Sequence, residues 1–265
     1  MEFKDCKCVG AIIGDIIGSP YECVRNKETD FPLFINASRC TDDTVMTCAV
    51  MDWILDGGGD RLADYYAKWA LKYPKAGYGY NFWVWANRED RQPYQSCGNG
   101  SAMRCSPVAY AGTTLEEVLE LAKKSSMPTH DHIEGIKGAQ AVAGSVFMAL
   151  HGNTKQEIKT FVSETFGYNL ERTIDEIRPT YTFQVLCQTS VPEAIIAFLE
   201  SDCYETAVRN AVSLGGDTDT QGDMAGAIAE AFYGTPETIK TKAQRYIPQE
   251  IQDIVIKFNA KIIKQ

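Results

Sequence analysis

"SLGGDTDTQGDMAGAIAEAFYG", residues 213–234, sets two aspartates and two threonines side by side, Asp217-Thr218-Asp219-Thr220, and then runs straight into an apolar, alanine-rich stretch. Residues 218–233 read as a helix whose small side chains would let a neighbouring helix axis approach closely. The stretches GAIIGDIIG at 10–18 and GAQAVAGSVFMA at 138–149 have the same character. Three helices of this kind suit a tight many-helix bundle better than a loose one.

Helical periodicity recurs through most of the chain. Val45, Met46, Ala49, Val50, Trp53 and Ile54 fall at three- and four-residue steps, and the pattern stops at Gly57-Gly58-Gly59, which predicts an amphipathic helix over 42–56. Segments 60–72, 114–125, 131–150, 154–165, 191–200, 203–214, 236–245 and 248–263 read similarly, most opening on Ser, Thr, Asp or Pro. Tyr181–Cys187 could be extended but is too short to seed a sheet alone. No linker, charge block or fixed-period repeat divides the sequence. The fold class expected is therefore all-α: a compact, single-domain, orthogonal multi-helix bundle over 1–265.

The composition narrows the function classes. At 265 residues and 45% hydrophobic, the chain can bury a full core. Nine cysteines, at 6, 8, 23, 40, 48, 97, 105, 187 and 203, are odd in number and show no paired CxxC spacing, as in reduced thiols of a cytoplasmic protein. MEFKDCKCVG carries charge where a secretory signal needs an apolar segment, and no stretch is long enough to span a bilayer. A net charge of −9 would repel a phosphate backbone, so nucleic acid is not the expected partner.

The acids at the helix mouths carry the chemistry. Thr41-Asp42-Asp43-Thr44 opens the helix at 42 as Asp217–Thr220 opens the one at 218. Capping of free amides and compensation of the positive helix end account for one carboxylate at each mouth. Four exceed that need. If the two ends meet, mutual repulsion would raise their pKa values unless cations sat among them. With oxygen donors only, the fitting ions are Mg²⁺ or Mn²⁺ rather than zinc. Capping alone and a metal site both remain open on spacing.

Other stretches add candidates. Glu22 follows the glycine-spaced helix by four residues, and Asp15 inside that helix reads as a hydrogen-bonded structural acid. Gly98-Asn99-Gly100-Ser101 could take positive backbone angles and feed a helix from near Ala102, whose free amides would suit a phosphate. Arg104 could pair with a carboxylate or an anion. His130 and His132 flank Asp131 at a helix start, where capping and hydrogen bonding are the expected roles. GYGYNFWVWANRED, 77–90, reads as core or lid, or as a stacking surface for a purine.

Taken together and in order, GAIIGDIIGSPYE, TDDT, GNGSAMR, THDH and the 213–234 stretch resemble the ADP-ribosylglycohydrolase family, of the dinitrogenase-reductase-activating glycohydrolase type, from about residue 9 to 234. The resemblance implies an all-α fold with a binuclear Mg²⁺ or Mn²⁺ centre held by Thr41, Asp42, Asp43, Asp217, Asp219 and Thr220. It implies that an ADP-ribose diphosphate rests on Gly98, Asn99, Gly100, Ser101, Ala102 and Met103, with Tyr78, Gly79 and His130 lining the cleft. It further implies that Glu22 gates the site, that Glu22, Asp42 or Asp43 moves the proton, and that the substrate is an ADP-ribosylated protein or small molecule. Gln221, Asp223 and Glu230 depart from the family pattern, and Asp223 and Glu230 are expected to face solvent or a partner.

Overall fold

The computed structural model describes residues 1–22 and 24–262; Cys23 lies outside them. Fourteen α-helices are present among the described residues: α1 Gly10–Gly18, α2 Asp42–Leu55, α3 Leu62–Lys72, α4 Tyr80–Ala86, α5 Ser106–Ala111, α6 Leu115–Ser126, α7 Ile133–Leu150, α8 Lys155–Phe166, α9 Ile174–Ile177, α10 Cys187–Leu199, α11 Tyr204–Val212, α12 Thr218–Tyr233, α13 Glu237–Ala243 and α14 Gln249–Ile262. Among those residues there is no strand. The segment ahead of α10 makes one isolated antiparallel bridge, Gly98 with Leu186.

Local chemistry sets many of the boundaries. Thr154 with Glu157, and Thr173 with Glu176, form capping boxes at α8 and α9, and α8 ends on Gly167 in the left-handed conformation at φ 72°. His132 caps α7 by accepting from the Glu134 amide, the capping role read for this histidine from the sequence. Two expected starts move. The helix anticipated near Ala102 begins at Ser106, where Pro107 suits a first turn that has no use for its missing N–H. The helix expected from 191 starts a turn earlier at Cys187 and carries Pro192 inside it.

The crossing of α1 with α12 organises the bundle. The two helices run antiparallel, with Gly10 against Gly226, Gly14 against Gly222 and Gly18 against Thr218. A Cβ built on Gly14 would lie 2.0 Å from the Gly222 carbonyl oxygen, and one on Gly18 would lie 2.1 Å from that of Thr218. The backbones are thus in direct contact over two full turns, and only glycine permits that. The stripe of small residues in both segments is what allows the approach.

Enclosed by α1, α7, α10 and α11, helix α12 is buried on every side. Its polar side chains therefore need internal partners. The expectation that Asp223 and Glu230 face solvent or a partner is incorrect, since both are buried. Glu230 accepts hydrogen bonds from the Val9 and Gly10 amides at 2.8 and 2.7 Å, placing a carboxylate on the otherwise uncapped start of α1. Gln221 donates to the Tyr181 hydroxyl at 2.8 Å. Burial, then Asp15 and Asp219, push the Asp223 carboxyl well above its ordinary range, which favours its uncharged form. One continuous apolar cluster runs from Phe3 to Phe258, and the eight described cysteines are free thiols.

Candidate metal-binding cleft

A cleft of about 510 Å³ opens where the N-terminal ends of α2 and α12 meet. The glycine pairing delivers the C-terminal half of α1 to the same place, so three helix ends converge. Asp42, Asp43, Asp217, Asp219, Thr220 and Glu22 all line the cleft, which brings together acids nearly two hundred positions apart. One carboxylate oxygen from each of Asp15, Asp43 and Asp219 lies within 4.8 Å of the others, and the same holds for Glu22, Asp217 and Asp219. Asp219 belongs to both groups.

These acids are held in place from behind. Asp15 accepts from the Thr41 amide and hydroxyl at 2.9 and 2.8 Å, and from the amide and hydroxyl of Thr44. Thr41 in turn caps α2, and its hydroxyl, whose one hydrogen Asp15 and Asp43 share, lies 3.0 Å from Asp43. Asn99 donates to Asp217 at 2.7 Å and to the Ser190 hydroxyl, which ties the glycine turn to the mouth of α12. Asp217 occupies the N-cap position but makes no capping hydrogen bond with its side chain. Capping alone does not explain the acid there.

Crowding shifts their ionisation. Burial, then Asp219, push Asp42 up to about 8 and Asp15 up to about 7, although hydrogen bonds from Thr44 and Thr41 pull Asp15 back. Asp43 and Asp217 are driven well above the usual carboxylate range, first by burial and next by Asp219. Glu22 is raised for the same two reasons and drawn back by Arg39. Asp43 Oδ1 is buried and has no hydrogen-bond partner among the described residues. An all-oxygen donor set, repelling carboxylates and an orphaned carboxylate oxygen together fit hard divalent cations.

A pH experiment follows. Without metal, the folded state holds protons on acids that the unfolded chain has lost. Stability in chelator should therefore fall as pH rises from about 5 to 8, through the raised values of Asp15 and Asp42. Thermal melts at both ends of that range, with and without Mg²⁺, read the effect. The ion should restore the loss at pH 8 and do little at pH 5.

The opposite wall carries Gly98, Asn99, Gly100, Met103 and His130, with Gly79 nearby. Neither glycine of the turn has positive φ; Gly98 is extended at φ −70°. Their use is space, since a Cβ on Gly100 would sit 3.2 Å from His130 Nε2. The Asn99, Ala102 and Met103 amides are already engaged by backbone carbonyls. Thr41, Tyr78, Ser101 and Ala102 lie behind the lining. Ser101 donates to the Gly135 carbonyl at 2.7 Å, and Tyr78 stacks on Phe82 and Trp83.

The sequence matches the family model described as ADP-ribosylglycohydrolase over residues 8–262. The chain belongs to the ADP-ribosylglycohydrolase family. Similar curated relatives include mouse ADP-ribosylhydrolase ARH3, 28% identical over 88% of this chain and 84% of that protein, and the human ADP-ribosylhydrolase ARH3, 26% identical over 94% and 91%. ADP-ribosylarginine hydrolase Tri1 of Pseudomonas putida is 25% identical over 85% of this chain and 69% of that protein. A solved structure titled ADP-ribosylglycohydrolase-related protein complex superposes with a TM-score of 0.72 at 22% identity, covering 98% of this chain and 97% of that one, which establishes the shared all-α fold.

Within this family member, several cleft residues escaped the sequence reading. Asp15 is the hydrogen-bonded structural acid expected, and it also forms part of an acid group. Its place among apolar and small residues, right after Gly14, was the signal available in the sequence. Arg39, Phe183 and Val185 line the mouth from loops that periodicity does not reveal, and Tyr80 lines it from α4, within the 77–90 stretch read as core, lid or stacking surface. No helix among the described residues is long and apolar enough to cross a membrane.

Proposed function

We propose that this protein is a divalent-metal-dependent hydrolase that cleaves the glycosidic bond between ADP-ribose and an acceptor, releasing ADP-ribose. The observation that carries the reading is the pair of carboxylate groups sharing Asp219, opposite a glycine-lined wall in the same cleft. Asp42, Asp43, Asp217, Asp219 and Thr220 would hold two ions, Mg²⁺ or Mn²⁺, with Thr41 positioned to support them through Asp15 and Asp43. Bound there, such ions supply positive charge against the acids and Lewis acidity toward ribose and water oxygens.

The remaining chemistry belongs to side chains. Departure of the acceptor builds oxocarbenium-like charge at the anomeric carbon, and a carboxyl that can hold or yield a proton assists it. Glu22, half-buried at the rim with its pKa raised, suits proton transfer at the leaving atom, with Asp42 and Asp43 as the other candidates. Gly98, Asn99, Gly100 and Met103, with His130, would seat the diphosphate and fix the distal ribose over the acids, so that orientation is settled before the bond breaks. Family members with this fold act on ADP-ribosyl groups by name, which supports the substrate class.

The test is incubation with peptides mono-ADP-ribosylated on arginine or on serine, with and without Mg²⁺ or Mn²⁺, followed by chromatography for free ADP-ribose. Release that depends on the ion is expected from at least one acceptor. Binding of ADP-ribose without turnover of either peptide would reduce the protein to a binding module.

A further inference from the structure

Arg104 is a buried cation without a counter-ion. It is 1% exposed and forms no salt bridge among the described residues, so of the two partners read from the sequence, a carboxylate or an anion, the carboxylate is not found. Its guanidinium lies over the Tyr66 ring, 4.0 Å from the centroid. Nη2 donates to the Thr129 hydroxyl at 2.7 Å and lies 3.4 Å from His130 Nδ1. The Thr129 hydroxyl is 2.7 Å from the same ring nitrogen. Burying a charge in this way is expensive, so the arrangement calls for an explanation.

Donor and acceptor roles in this chain are fixed by Arg104. A guanidinium only donates, so the Thr129 oxygen accepts from it and has its own hydrogen left to give. Nη2, itself only a donor and 3.4 Å from Nδ1 of His130, would repel a proton there, so Nδ1 is the acceptor and the Thr129 hydrogen has it as its partner. Burial, together with the Arg104 charge, drives the His130 pKa well down, so the ring carries one proton only. The proton is left on Nε2, the atom that lies beside Gly98 and Gly100 on the same wall of the cleft.

Resting on the functional reading above, we propose that Arg104 and Thr129 are positioning residues that hold His130 with Nδ1 bare and Nε2 protonated, so that Nε2–H donates to an anionic phosphoryl oxygen of the substrate. Arg104 adds fixed positive charge beneath the same wall, opposite the acids. An imidazole free to choose its tautomer would present a lone pair to the diphosphate part of the time and repel it. The relay removes that choice.

Two measurements on the full chain decide the matter. Nitrogen-15 correlation spectra of the imidazoles, recorded without ligand, should show His130 as the Nε2–H tautomer. Thr129→Val, which keeps the shape and deletes the hydroxyl, should shift His130 toward a tautomer mixture, and Thr129→Ser should restore the original. Titration with ADP-ribose and Mg²⁺ should show about tenfold weaker binding for Thr129→Val, with KM affected more than kcat. An Nδ1–H tautomer in the unaltered protein overturns the relay, as does a Thr129→Val spectrum and affinity equal to the parent's. The spectra need no substrate, so they judge the relay separately. If they agree but ADP-ribose fails to bind the parent protein, the functional reading and the diphosphate role of His130 fall together.

Discussion

Gly14→Ala should yield little folded protein. The new methyl carbon would lie 2.0 Å from the Gly222 carbonyl oxygen and 2.9 Å from the Asp223 nitrogen, and both neighbours are backbone that no rotamer change can move. Relief requires α1 and α12 to part by more than an ångström along their whole crossing. Overpacking of this kind costs more than about 3 kcal/mol, set against a total stability of about 5–15 kcal/mol. A melting temperature lower by about 10 °C, or loss of soluble expression, is expected. Gly59→Ala, where nothing lies within 4 Å of the new carbon, is the control and should melt like the parent. A Gly14→Ala protein that melts normally would mean that the helices do not touch as described.

Asp219→Asn should separate activity from stability. Asp219 is common to both acid groups, so its loss disturbs every candidate ion position together. Hydrolysis of the ADP-ribosylated peptides should fall at least about 100-fold. The same change removes the charge that ranks next after burial in raising Asp42, Asp43, Asp217 and Asp15. In chelator at pH 8 the variant should therefore melt higher than the parent, because a cluster of like charges has lost its central member. Added Mg²⁺ should stabilise the parent more than the variant. Near-parental turnover in Asp219→Asn would refute the assigned role.

Much of this architecture is legible in the sequence. Helices at 42, 115, 155 and 218 follow their apolar period and their Thr or Asp starts, and those at 133, 204 and 249 follow the period, because burial of one face and satisfaction of the first amides are both local in sequence. Helix α4 was hidden because five aromatics among glycines at 77–85 show no clear face. Pro192 misled in the opposite direction. A proline reads as a helix start, yet α10 accommodates it within its second turn, where tertiary packing outweighs the missing donor.

The site was half visible. Clustered acids at two helix mouths signal unusual charge, but spacing cannot say that position 42 meets position 217; the α1–α12 crossing, together with the hydrogen bonds from Thr41 and Thr44 to Asp15 of α1, decides that. Asp223 and Glu230 look like surface acids by residue type. Only the enclosure of α12 reveals Glu230 as a cap for a distant helix and Asp223 as an acid whose burial favours its uncharged form. Arg104 shows the same limit, since nothing local distinguishes a guanidinium that pairs with a carboxylate from one that orders a histidine.

The antiparallel seating of Gly10 on Gly226 also has a bearing on biosynthesis. Helix α1 is almost wholly apolar, and the surface that covers it is made 216 residues after it. At ordinary elongation rates of about 5–20 residues per second, that wait lasts roughly 10–40 s. During translation the nascent chain must shelter this greasy segment against other partners, and the clustered acids at the mouths of α2 and α12 can gather only after α12 has been made.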